Sequence, residues 1–125
     1  MSDAEIEKAT QELKLKKSTI DRLAQWDLLR PLLHARWEQT NSLDDLREII
    51  QHGLESIRFL PSNYNEIASF VLRLGKLGIA FSDLWHRTKA ASDSAKSFFF
   101  RRYAVSLCVE SQKNVRAVLM SHLAL

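Results

Sequence analysis

Apolar residues recur along this chain at intervals of three and four, the spacing of one face of an α-helix, and rarely alternate with polar ones. Leu43, Leu46, Ile49, Ile50, Leu54 and Ile57 form the cleanest run. Ile67, Phe70, Val71, Leu74, Leu77, Phe81, Leu84 and Trp85 hold one stripe long enough to predict a single helix near residues 64–89. Helix starts are marked as well. Ser18 with Asp21, Ser42 with Asp45 and Asn63 with Glu66 each place a side-chain acceptor three positions before a carboxylate, the pattern that satisfies free amides at a helix N-terminus.

The ends are less regular. Residues 1–17 are charged and sparsely apolar. Ile6, Leu13 and Ile20 repeat every seven positions, so this arm is read as either mobile or docked on a partner helix. The next helix carries Ile20, Leu23, Ala24, Trp26 and Leu28 towards Pro31, which either kinks it or opens a new helix with Leu32, Leu33 and Trp37. Gly53, inside the helix of the Leu43–Ile57 run, predicts either a close helix contact or local fraying, and Gly78 falls on an apolar stripe, where a missing side chain lets a neighbouring backbone approach. A last long helix is expected near 93–122. Its residues Phe98, Phe99, Phe100, Tyr103, Val105, Leu107, Cys108 and Val109 are apolar almost all round, which fits burial on several sides or a face reserved for another chain. Cys108 reads as a small buried hydrophobe, and Trp26, Trp37 and Trp85 as core anchors.

With short connections at Gln39–Asn41, Leu60–Asn63 and Ala90–Asp93, these elements make an all-α, compact antiparallel bundle of about five helices. At 125 residues and 46% hydrophobic, the chain is expected to be one helical domain with a real core. Only 3 Gly and 2 Pro occur, and strand signals are almost absent. The lone cysteine cannot form an internal bridge, and the acidic N-terminus is unlike a signal peptide. No apolar stretch approaches a membrane span, so a cytoplasmic protein is expected.

Charge changes the picture. Up to Glu66 there are 9 basic against 12 acidic residues, a net −3; beyond it, 9 against 3, a net +6. Helical spacing places Ser69, Arg73, Lys76, Ala80, Asp83 and Arg87 opposite the apolar stripe of the 64–89 helix, on a face expected to be solvated. On the last helix Arg102, Ser106, Lys113 and Arg116 fall near one line, with Lys96 and Arg101 close by. Long cations interspersed with hydroxyls are what phosphate contacts use. If the two helices are antiparallel neighbours, the rows would merge. Arg73, Lys76, Arg87, Lys96, Arg101, Arg102, Lys113 and Arg116 are therefore the candidate nucleic-acid contacts, reading no base sequence.

Catalytic and metal chemistry find little support. His34 with Glu38, and Glu48 with His52, stand four apart and suit surface ion pairs; the carboxylate–histidine metal sites of bundles use a spacing of three and further inward glutamates. Leu74-Gly75-Lys76-Leu77-Gly78 lacks the first glycine of a phosphate loop and follows no strand. No enzyme activity, metal, cofactor, small-molecule substrate or membrane association is expected. Two readings remain: a nucleic-acid-binding subunit using the basic C-terminal half within a larger assembly, or a protein-interaction module, as homo-oligomer or adaptor, without nucleic acid.

Overall fold

The computed structural model describes the backbone of residues 3–123 and the side chains through Glu110, Tyr64 excepted. It is all-α: α1 (Asp3–Leu15), α2 (Thr19–Thr40), α3 (Leu43–Ser56), α4 (Tyr64–Thr88) and α5 (Ala91–Leu123). Two of the three capping signatures form hydrogen bonds. The Asp21 amide donates to the Ser18 hydroxyl oxygen (3.1 Å) and the Glu66 amide to the Asn63 side-chain oxygen (3.0 Å), whereas Ser42 caps α3 without a side-chain bond. Asn41 and Lys89 end α2 and α4 in the left-handed region (φ 53° and 58°), their amides donating to the carbonyls of Trp37 and Trp85. That conformation suits asparagine and is costlier for lysine. α2 continues through Pro31 and no new helix opens there; proline simply removes the amide that would have bonded to the Asp27 carbonyl.

Each helix packs on its neighbours in sequence: α1 on α2, α2 on α3, α3 on α4 and α4 on α5. Every pairing is antiparallel. The Gln25 side-chain amide donates to the Ala9 carbonyl (3.1 Å), while Arg36, further along α2, reaches back to Asp3 (3.2 Å). Trp26 lies 5.2 Å from His52, and Arg36 bonds Asp45, nearer the start of α3. These hydrogen bonds to Asp45 raise the Arg36 pKa against the opposing effect of partial burial, with Asp3 adding to the rise.

The core joins Ile6 and Leu13 of α1 to Trp26, Leu29, Leu33 and Trp37 of α2, Leu46, Ile49 and Ile50 of α3, and the α4 stripe from Phe70 to Leu84. α2 buries the expected Trp26, Leu33 and Trp37 but leaves other residues of its predicted apolar set outside. Ile20 and Leu28 are exposed, and the buried line is Trp26–Leu29–Leu33–Trp37. Both faces of α2 are apolar, and burying the one with two tryptophans removes more area from water.

Gly53 and Gly78 both mark close contacts. A Cβ on Gly53 would stand 3.1 Å from Leu77 Cδ1. One on Gly78 would stand 2.7 Å from Arg101 Cγ, 3.2 Å from the Ser97 carbonyl oxygen and 3.4 Å from the Arg101 amide nitrogen. This crossing of α4 and α5 is further tied by the buried Ser97 hydroxyl, which donates to the Gly78 carbonyl (2.7 Å). Gly75, one turn away, has nothing near its Cβ position.

Candidate nucleic-acid interface

The cation row of α4 is buried at Arg73 and exposed at Lys76 and Arg87. Arg73 is only 8% exposed, and its guanidinium donates to both Asp27 carboxylate oxygens (2.8 and 3.3 Å). Asp27 also holds Arg30 (3.1 Å). Arg87 remains exposed, yet it donates to the Asn41 carbonyl (2.8 Å) and lies over the Trp37 ring at 5.7 Å. Both contacts tie α4 to α2 and its cap, so this side of α4 is only partly solvated. Ala80 on the same row is buried too. Arg73 is thereby removed from the candidate phosphate contacts, because its guanidinium is nearly buried and its charge is already matched by the Asp27 carboxylate. Lys76, on the same row, stays exposed.

On α5 the contact stripe against α4 is Ser97, Phe100 and Ala104, with Tyr103 and Leu107 half-buried beside it. Phe100 stacks on Phe81 (5.7 Å between centroids) and Tyr103 meets Phe70 edge-on (6.1 Å). A step of about 100° per residue then fixes the rest. Phe98, Arg102, Val105 and Val109 fall on the side opposite that stripe. Lys96 and Arg101 lie on its two flanks, Lys96 with its ammonium 5.6 Å from the Phe81 ring centre and Arg101 with its stem beside Gly78. Lys96, Arg101 and Arg102 are all exposed, but they diverge around the helix. Among the described residues the two rows do not merge: Arg73 and Arg87 turn towards α2 and its cap, and Arg102 turns away from α4. Lys113 and Arg116 lie outside the residues whose side chains are described.

The outward side of α5 is more apolar than its arginines suggest. Phe98 and Val105 are each 63% exposed and Phe99 59%, with Val109 also exposed. Of the three consecutive phenylalanines, Phe100 alone enters the core. The Arg102 guanidinium sits 5.5 Å above the Phe98 ring. Cys108, expected inside, is exposed: it shares the side of Ser97 and Ala104 but lies one turn further along α5, past the last buried contact at Ala104. Comparison with protein families, with characterised proteins and with solved structures finds no match. The fold and its surfaces therefore carry the functional argument alone.

The histidines of α2 and α3 stand in ion-pair geometry, His34 with Glu38 at 3.4 Å and His52 with Glu48 at 3.7 Å. Among the described residues no group of three or more histidine, cysteine or acidic side chains has metal-holding geometry, and no helix is long and apolar enough to cross a membrane.

Proposed function

We propose that this chain is a non-catalytic interaction subunit that receives a helix of another protein along the outward side of α5. The observation that carries this reading is the exposure of Phe98, Phe99 and Val105 on a helix whose one packing neighbour among the described elements is α4. Large apolar side chains clustered on one open face mark association sites more often than solvent-facing surface. Charge selects the partner. Arg101, Arg102 and Lys96 border the apolar positions, so the complementary surface is an amphipathic helix with carboxylates beside its apolar stripe. Phe98→Ser/Val105→Ser tests this by affinity capture from the native host, with nuclease treatment in parallel. The expected result is a protein retained by the wild type after nuclease, lost by the variant, and rebinding when purified. A captured set that is identical for both forms overturns the proposal, as does a concentration-dependent homodimer that occupies the same face.

Nucleic-acid binding is the second reading, favoured by Arg102 over the exposed Phe98 ring, an arrangement that can stack an unpaired base. It requires salt-dependent binding of mixed-sequence oligonucleotides that weakens with Arg102→Gln. Salt-independent or absent binding removes it.

A further inference from the structure

An open cleft of about 530 Å³ lies where α1, α2 and α3 meet, at the end of the molecule away from the Asn41 cap of α2. Phe59 and the edges of the nearly buried Leu13 and Trp26 form apolar walls, and Arg22, Arg58, His52 and Ser56 line it as well. The arginines at the other helix junctions are committed: Arg30 and Arg73 to Asp27, Arg36 to Asp45 and Asp3. Arg22 and Arg58 have no carboxylate partner among the described residues. Glu55, the carboxylate on the cleft wall, lies 3.9 Å from His52 Nδ1 and pairs with neither arginine. Two unpaired guanidiniums thus share a concave surface with an indole and a phenyl ring. Concave sites of this size that set apolar walls beside convergent polar groups are where small molecules bind.

We infer that this cleft binds a small organic anion, with Arg22 and Arg58 holding a phosphate or carboxylate and Trp26, Leu13 and Phe59 covering an apolar or aromatic body. Guanidinium forks match both anions with paired hydrogen bonds, and an aromatic wall favours a flat body over an aliphatic one. The site is independent of the α5 face, which lies at the far edge of the helix array, so either assignment can fail without the other.

The test is an amide and indole NMR titration of the whole chain with phenyl phosphate, inorganic phosphate and benzyl alcohol. Phenyl phosphate is expected to saturate, moving the Trp26 indole signal and the amides of residues 52–59, and to bind at least about tenfold more tightly than either fragment. Arg22→Gln/Arg58→Gln should weaken it about tenfold or more, while Arg47→Gln, on the outer side of α3, leaves it unchanged. Unchanged melting of the double variant shows that the fold is intact. Shifts confined to α5, equal affinity in the double variant, or inorganic phosphate binding as tightly as phenyl phosphate would each overturn the assignment.

Discussion

Three glycines in one small bundle offer a controlled measurement of how closely its helices approach. Alanine in a helix interior is more favourable than glycine by about 0.5–1 kcal/mol, because less backbone entropy is lost on folding. At Gly75 nothing lies within 4 Å of the new methyl, so Gly75→Ala should stabilise by about that amount. Gly78→Ala meets backbone atoms of Ser97 and Arg101, which cannot rotate away as a side-chain tip can. Forcing α5 outward costs about 1–3 kcal/mol in packing. It also strains the buried Ser97–Gly78 hydrogen bond, worth about 1 kcal/mol. Propensity recovers only part of this, leaving Gly78→Ala destabilising by about 1–3 kcal/mol. Gly53→Ala falls between, since its contact is the end of the Leu77 side chain. Urea denaturation of the three variants at constant m-value gives the order directly, and thermal melting should separate Gly75→Ala from Gly78→Ala by roughly 5–15 °C. Equal responses at Gly75 and Gly78, or a stabilising Gly78→Ala, would refute the close crossing of α4 and α5.

Other expectations follow from the polar contacts. Asp27→Asn leaves the Arg73 guanidinium without its counter-charge in a nearly buried position and should cost about 2 kcal/mol in urea unfolding, below the range for fully buried pairs because Asp27 is about a third exposed; adding Arg73→Met should cost less than the sum of the single changes. Glu66 accepts from the Ser62 amide (2.6 Å) and hydroxyl (2.8 Å), and these bonds hold its carboxyl below the ordinary value of 4.5. Its contribution is therefore present above that value and lost as pH falls through the lowered folded one, so the stability gap to Glu66→Gln should close on acidification; a gap unchanged from about pH 7 to about pH 3 would contradict this. Cys108 should react stoichiometrically with a thiol reagent in the native protein, and reaction only after denaturant is added would contradict its exposure.

Local signals in the sequence were enough to locate the helices. The side-chain caps at Ser18 and Asn63, the α4 stripe and both close-contact glycines depend on residues within a turn or two of each other. Which side of a helix faces inward was legible only where a single side is apolar, as in α3 and α4. α2 carries apolar residues on two sides, and the choice of Trp26–Leu29–Leu33–Trp37 over Ile20 and Leu28 is made by what α1 and α3 bring to it. Arg73 shows the same limit for the cation row. Its spacing reads as solvated, but its partner Asp27 lies 46 positions earlier, and no local pattern announces that meeting. The outward phenylalanines of α5 were visible as an excess of apolar residues, while the number of sides that α4 covers was not.

Because neighbours in the chain are also neighbours in space, loops of only a few residues bring each new helix onto the last. Little loop-closure entropy is lost at any step, which places this topology among those that fold fast. During synthesis α1 and α2 can close on one another as soon as both have emerged, and α3 and α4 can be added in turn. The exposed phenylalanines of α5 reach solvent last, when the surface beneath that helix is already built.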